Sequence, residues 1–156
     1  MTDLFLPKNI LFVKDYQFEN GTQKPKLLII LDVIEDEFCI LQCLTTSQDK
    51  TVPNNIIKHG CTNLDLERLS FYVFEKDKIV GSRLNHADFH FEKTTFIFFQ
   101  TNISKEPLLG FLKYKDNLQH LATLSDEEYK NLITCIAQSK LLRRDLKPYF
   151  KKLADG

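Results

Sequence analysis

Two short apolar runs, joined by a short polar connection, limit most strongly how this chain can fold. The first is Leu-Leu-Ile-Ile-Leu at residues 27–31, and the second is Phe-Cys-Ile-Leu-Gln-Cys-Leu at residues 38–44. Each run is too short for a helix of ordinary length, so both are predicted to be strands buried on two faces. Residues 33–37 suit a tight connection. The pair is therefore predicted to form a hairpin.

The polar residues that could do chemistry stand at the outer ends of this hairpin. They are Gln23, Lys24 and Lys26 before the first strand, and Thr45, Thr46, Ser47 and Gln48 after the second. An antiparallel pair brings the start of one strand to the end of the next. The two clusters are therefore predicted to lie side by side and to form a candidate site.

Composition favours one aromatic-rich β domain covering residues 1–156. With 156 residues, of which 43% are hydrophobic, the chain has enough apolar material for a core. Thirteen Phe and five Tyr beside only five Gly favour strands. Lys plus Arg (21) balance Asp plus Glu (21), so no global field draws the protein to nucleic acid. Any site for a polyanion must be local.

The sequence also predicts a cytoplasmic protein with no membrane contact. Its first residues lack the pattern of a secretory signal, and no apolar run approaches the roughly 20 residues that span a bilayer. Cys39 and Cys43 stand four apart in one predicted strand, which separates their Cα atoms by about 13 Å, too far for a disulfide. We therefore expect the four cysteines, including Cys61 and Cys135, to be buried free thiols in a reducing compartment.

Further strands are predicted at residues 9–14, 69–75 and 94–101, from their compact apolar character. A loop over residues 15–24, with an Asn-Gly turn at its tip, is expected to project beside the hairpin. Its Tyr16 and Phe18 either stack on a bound base or pack against the edge of the sheet. Residues 63–90 could hold an inserted hairpin. Residues 102–124 show no clear pattern.

One amphipathic helix is predicted near the C-terminus, over residues 126–142. Ser125 and Glu128 form a capping box, and apolar residues follow at helical spacing. Pro148 is expected to end helical structure. The basic residues between 140 and 152 either face solvent or contact phosphates. Together these elements predict a small, strongly curled, mainly antiparallel barrel with the helix covering one side. The side chains predicted to form its core are Leu28, Ile30, Ile40, Phe71, Val73, Phe96, Phe98, Leu132 and Ile136.

Lys24-Pro-Lys-Leu-Leu-Ile-Ile, followed by a strand that ends in Leu-Thr-Thr-Ser-Gln48, resembles the core of the MazF/PemK-like toxins, small endoribonucleases of toxin–antitoxin systems. Phe91-Glu-Lys-Thr-Thr-Phe-Ile and Leu124-Ser-Asp-Glu-Glu are similar to later features of that family, so the resemblance spans most of the chain. It implies an SH3-like, MazF-like antiparallel β-barrel with a C-terminal amphipathic helix. It also implies a cytoplasmic homodimer that cleaves single-stranded RNA without metal or other cofactor, with an antitoxin protein as a partner.

The resemblance assigns catalytic roles to two residues. Lys24 stands where the family has an Arg before the Pro, and Thr45 stands at the end of the next strand; both positions lie at the scissile phosphate in the family. The other predicted contacts to substrate are Gln23, Lys26, Thr46, Ser47, Gln48, Tyr16 and Phe18. Lysine offers a point charge without the two-pronged guanidinium, so the substitution puts cleavage in question more than binding.

Two other functions stay open. In one, the chain is a catalytically impaired MazF-like protein that binds RNA or a protein partner. In the other, it is a structural or interaction module of a mobile element or phage with no active site. Without the resemblance, a Lys before a strand and a Thr-Thr-Ser run after one are ordinary solvated turn residues.

A metal site is not predicted, although His86, Asp88 and His90 fall within five residues. On a strand, the two imidazoles would lie about 13 Å apart, too far to share one ion.

Overall fold

The described part of the chain is mainly β, with its strands in two antiparallel sheets and its two α-helices near the C-terminus. A computed structural model describes residues 4–17, 20–44, 52, 54–64, 66–101, 103–114 and 116–156, with backbone only for residues 38–44 and 54. The strands are β1 (Asn9–Gln17), β2 (Gln23–Ile34), β3 (Phe38–Leu44), β4 (Gly60–Leu64), β5 (Leu69–Phe74), β6 (Ile79–Ser82), β7 (Asp88–His90), β8 (Thr95–Phe98), β9 (Ile103–Pro107) and β10 (Leu118–Leu124). The α-helices are α1 (Asp126–Gln138) and α2 (Lys147–Asp155), and 3-10 helices cover Asn54–Ile56 and Leu108–Tyr114.

The two sheets differ in size. The larger has seven strands in the order β7-β6-β10-β1-β2-β3-β9, and the smaller has three in the order β4-β5-β8. Within the described ranges, no pairing joins the edge strands β7 and β9, so the larger sheet is open there. The predicted mainly antiparallel β structure with helix is confirmed. The strongly curled SH3-like barrel is not confirmed.

The central hairpin is confirmed. β2 pairs antiparallel with β3 from Leu27 opposite Leu44 to Ile34 opposite Phe38. The connection is shorter than predicted, because Ile34 still belongs to the strand. Glu35 and Asp36 have φ values of 50° and 58°, and the Glu37 N–H donates to the Ile34 carbonyl at 3.0 Å. Positive φ at both central positions is the pattern of a type I′ turn, whose twist suits a hairpin.

β1 is longer than its sequence pattern predicted. It continues to Gln17 and pairs with the start of β2, so that Tyr16 lies opposite Lys24 and Gln17 opposite Gln23. The predicted loop over residues 15–24 is therefore wrong at both ends. Its turn is confirmed, since Gly21 has a φ of 85° and Asn20 Oδ1 accepts from the Thr22 N–H at 3.0 Å.

β2 is buried on both faces, as predicted. One face, with Ile29 and Leu31, packs into a core that includes the helices. The other face, with Leu28 and Ile30, packs on a smaller core under the 3-10 helix Leu108–Tyr114. Of the side chains predicted to form the core, those that are buried are Leu28, Ile30, Phe71, Val73, Phe96, Leu132 and Ile136. Phe98 is partly buried, and the side chain of Ile40 lies outside the described part.

The capped start of α1 is confirmed, but its end is not. The Ser125 side chain accepts from the Glu128 N–H at 3.2 Å. The helix ends at Gln138 rather than at residue 142, because Ser139 is extended. Pro148 lies in the first turn of α2. The prediction that it ends a helix was wrong, since proline lacks an N–H that the first helical turn does not need.

Residues 63–90 contribute to both sheets. β5 lies at the centre of the three-stranded sheet, whereas β6 and β7 extend the seven-stranded sheet beyond β10. β6 approaches β10 so closely that a Cβ on Gly81 would lie 2.1 Å from the Thr123 carbonyl oxygen.

A disulfide joins Cys61 of β4 to Cys135 of α1, across 74 residues of sequence. The expectation of free thiols was therefore wrong for these two residues. Spacing along the chain carries no signal for this pair, because it does not show which strand meets which helix. The side chains of Cys39 and Cys43 lie outside the described part. Neither α-helix in that part has the length and apolar character needed to cross a membrane.

Candidate functional site

The start of β2 presents two lysines on one face of the sheet. Lys24 and Lys26 are two apart in a strand, so their side chains leave the sheet on the same side. Lys24 is exposed and Lys26 is half-buried. Tyr16 of β1 lies directly opposite Lys24 in the ladder and shares this face. The ladder therefore places the backbone of Lys24 beside that of Tyr16, with both side chains on one face.

Two residues of the 3-10 helix complete this surface. The Tyr16 and Tyr114 rings stack, with centroids 5.7 Å apart and planes inclined by 17°. Tyr114 Oη accepts from the Gln17 N–H at 2.9 Å, which ties the 3-10 helix to the end of β1. Lys113 Nζ lies 5.1 Å from the Tyr114 ring centroid. We call the set Tyr16, Lys24, Lys26, Lys113 and Tyr114 the strand-end surface.

Gln23, predicted to share a groove with Lys24, lies on the other side of the sheet. Adjacent residues of a strand point to opposite faces, and Gln23 pairs with Gln17 there. Gln23 is exposed. It is therefore not part of the strand-end surface.

The remaining predicted site residues fall outside the described part of the chain: Phe18, Thr45, Thr46, Ser47 and Gln48. The backbone of β3 is described to its end, however. Its last residue, Leu44, lies opposite Leu27, three positions after Lys24. The predicted proximity of the two clusters stays a prediction, because Thr45 and the residues after it lie outside the described part.

A buried polar cluster lies elsewhere, between α1 and the three-stranded sheet. Glu128 Oε1 accepts from Tyr72 Oη at 2.8 Å and lies 2.5 Å from His59 Nε2. His59 Nδ1 accepts from the Glu75 N–H at 3.1 Å, so Nε2 is the nitrogen that donates to Glu128. Burial, and then the bond to Glu128, raise the pKa of Tyr72. The hydroxyl and both imidazole nitrogens are satisfied, so the cluster holds α1 on β5 rather than offering a reactive group.

His86, Asp88 and His90, which the sequence places within five residues, do not come together as a set of metal ligands. His90 Nδ1 lies 3.6 Å from Oδ1 of Asp77, which belongs to the turn between β5 and β6. No group of three or more His, Cys, Asp or Glu side chains within the described ranges is placed to hold a metal ion.

Sequence reasoning missed Lys113 and Tyr114, because residues 102–124 carried no assignable pattern. Their adjacency in the chain is a weak signal by itself. Lys113 and Tyr114 join the strand-end surface because Tyr114 stacks on Tyr16, which lies 98 positions earlier in the chain.

Comparisons with models of known protein families, with curated proteins and with solved structures gave no match to this chain. The likeness to MazF/PemK-like toxins therefore rests on short sequence motifs alone.

Proposed function

We propose that this chain is a MazF/PemK-like protein that binds the backbone of single-stranded RNA at the strand-end surface and cleaves it without metal. The observation that carries the proposal is the direct pairing of Lys24 with Tyr16, with Lys26 on the same face. The SH3-like barrel, the homodimer, an antitoxin partner and a cytoplasmic location come from the same resemblance and belong to the same proposal. The Cys61–Cys135 disulfide weighs against the cytoplasmic location, since such bonds are rare in a reducing compartment.

The strand-end surface has the groups that single-stranded RNA requires. Three lysines supply charge for phosphate oxygens, and a half-buried tyrosine supplies a ring on which a base can stack. Because the net charge is zero, affinity depends on this local patch rather than on a global field. Binding should therefore weaken as salt rises, since each contact to phosphate releases counterions.

Cleavage would proceed by attack of an RNA 2′-oxygen on the adjacent phosphorus, with loss of the 5′-oxygen of the next nucleotide. The products are a 2′,3′-cyclic phosphate and a 5′-hydroxyl end. Lys24 would stabilise the charge that develops on the phosphate oxygens, and Thr45 would donate a hydrogen bond to the same group. The proton lost by the 2′-hydroxyl balances the proton gained by the leaving oxygen.

RNA binding without cleavage is the second candidate function. The exposure of Lys24 favours it, because a solvated ammonium stabilises a phosphate less than a buried, two-pronged guanidinium does. The two candidates share the same surface and differ only in the chemical step.

Incubation of a long RNA with the pure protein in EDTA tests both. We expect cleavage by the parent, a loss of at least about tenfold in Lys24→Ala and in Thr45→Ala, and an unchanged or higher rate in Lys24→Arg. Lys130→Ala, which removes an exposed lysine of α1 outside the basic residues 140–152, is the matched control. Equal cleavage by the parent and both site variants would show that Lys24 and Thr45 are not catalytic.

Anisotropy of a labelled RNA at two salt concentrations separates binding from chemistry. If the parent binds but does not cleave, and Lys24→Arg creates cleavage, the protein is the impaired binder. If Lys24→Ala leaves the affinity and its salt dependence unchanged, the strand-end surface does not bind RNA.

A further inference from the structure

A cleft of about 300 Å³ lies on the opposite side of the seven-stranded sheet from the strand-end surface. Its apolar lining is Leu27 of β2, Leu121 of β10, and Phe89 and Phe91 of the β7 region. Leu27 follows Lys26 in β2, and neighbouring strand residues point to opposite faces. The cleft is therefore distinct from the surface on which the proposed function rests.

Two cations stand at the rim of this cleft. The Arg83 guanidinium carbon lies 5.2 Å from the Phe89 ring centroid, and Lys93 lines the cleft and is exposed. Of the two other titratable lining residues, His90 lies 3.6 Å from the Asp77 carboxylate and Glu92 carries the one opposing charge. The lining side chains of Arg83, Lys93 and Glu92 together leave a net positive charge.

The wall beside Lys93 is held in place. Thr95 is fully buried, and its hydroxyl donates to the Lys93 carbonyl at 2.9 Å. Phe91 contacts Phe74 of the main core with ring centroids 5.2 Å apart. The apolar floor is thus part of the packed interior, and a ligand would meet a preformed surface rather than a loop.

We propose that this cleft binds a small aromatic anion, with its ring on the apolar floor and its anionic group between Arg83 and Lys93. The volume is at the low end of the roughly 300–1,000 Å³ found for small-molecule sites, which limits the occupant to a ligand no larger than a mononucleotide. An arginine that already lies over an aromatic ring can also pair with a carboxylate or phosphate. A mononucleotide and an aromatic carboxylate share this chemistry.

Two titrations of the full chain show which of the two classes of anion binds. One uses the mononucleotides UMP and AMP, and the other uses the aromatic carboxylates benzoate and indole-3-carboxylate. Methyl NMR signals of Leu27 and Leu121 report on the cleft, and those of Leu109, which does not line it, serve as an internal reference. Uridine and benzamide, the neutral counterparts of UMP and benzoate, test the need for charge. We expect shifts at Leu27 and Leu121 with one anionic series and binding at least about tenfold weaker for its neutral counterpart.

Substitutions test whether Arg83 and Lys93 bind the anionic group of the ligand. Arg83→Gln and Lys93→Gln should each weaken the anionic ligand about tenfold, whereas Lys130→Gln on α1 should leave its affinity unchanged. Circular dichroism of each variant shows that it is folded. The proposal is overturned if neither series shifts the two reporter residues, if the neutral compounds bind as well as the anions, or if both cleft variants bind like the parent. Loss of RNA binding in Lys24→Ala with these shifts retained would separate the two sites.

Discussion

Asp32 is a carboxylate in a position that disfavours its charge. It is half-buried in β2, and burial raises the pKa of its carboxyl above the ordinary 3.8, although a hydrogen bond with the Val33 backbone and the charge of Lys152 act in the opposite direction. The folded chain therefore holds this proton more tightly than the unfolded chain. The contribution of protonated Asp32 to the free energy of unfolding is fully present below about pH 3.8. It falls as pH rises through the raised pKa and is gone above it.

Asp32→Asn tests this pH dependence. The amide keeps an acceptor for the Val33 backbone but has no charge to desolvate, so we expect the melting temperature at pH 7 to rise by about 2–4 °C. Thermal melts at pH 7 and at pH 3 check it, because the difference from the parent should shrink when Asp32 is protonated in both states. Asp116→Asn, at an exposed position, is the control. A lower melting temperature for Asp32→Asn at pH 7 would mean that the attraction to Lys152 outweighs burial.

Single residues were predictable where their signal was local. Ser125 was assigned as an N-cap because its partner Glu128 is three positions away, and the Asn-Gly turn needs only two neighbours. Pro148 was misassigned because a proline both follows and begins helices, and only the next element decides between the two. Cys61 and Cys135 form a pair that no local signal could show.

At the scale of elements, this disulfide is the covalent link between the smaller sheet and α1. It closes a long loop across a sequence separation of 74 residues, which restricts the unfolded chain. Reduction should therefore lower the free energy of unfolding by about 2–4 kcal/mol. Because Cys61 is exposed, reductant can reach the bond in the folded protein.

Urea unfolding with and without dithiothreitol measures the effect. The variant carrying both Cys61→Ser and Cys135→Ser should match the reduced parent and be insensitive to the reductant, which controls for reduction elsewhere in the chain. Mass spectrometry of unreduced peptides should recover the two residues in one linked species. Equal unfolding midpoints for the parent in both conditions would contradict a stabilising link.

The elements that sequence reasoning found are those with uninterrupted patterns. β2, β3 and α1 have continuous apolar runs or helical spacing. β10 was missed although it lies in the middle of the larger sheet, because its register with β1 shifts between Ile10 and Leu11. A bulge of this kind breaks the alternation of apolar and polar residues by which a strand is recognised. The polar His120 and Thr123 obscured the pattern further.

At the scale of the molecule, the division into two sheets depends on pairings between distant strands. β10 pairs with β1 across more than one hundred residues, and β8 joins β5 rather than the larger sheet. Which strands pair depends on which apolar faces pack against each other in the folded chain. Composition and residue spacing do not contain that information. The expectation of one small barrel came from counting strands, and it could not show that β4, β5 and β8 would form a sheet of their own.

The proposed homodimer needs an apolar surface, and the 3-10 helix Leu108–Tyr114 supplies one. In such a helix residues three apart eclipse, so Leu108, Phe111 and Tyr114 face the core while Leu109 and Leu112 lie together on the outside. These two leucines are 78% and 53% exposed, which makes them unnecessary for the fold but available to a second copy.

We therefore expect sedimentation of the parent at tens of micromolar to show a dimer, and the variant with Leu109→Gln and Leu112→Gln to sediment as a monomer. At a concentration low enough for both proteins to be monomeric, its stability should differ from that of the parent by no more than about 0.5 kcal/mol for each exposed position. Leu84→Gln, at a position 68% exposed in the β6–β7 connection, is the matched control and should remain dimeric. A monomeric parent would exclude the dimer, and a dimeric double variant would place the contact on another face.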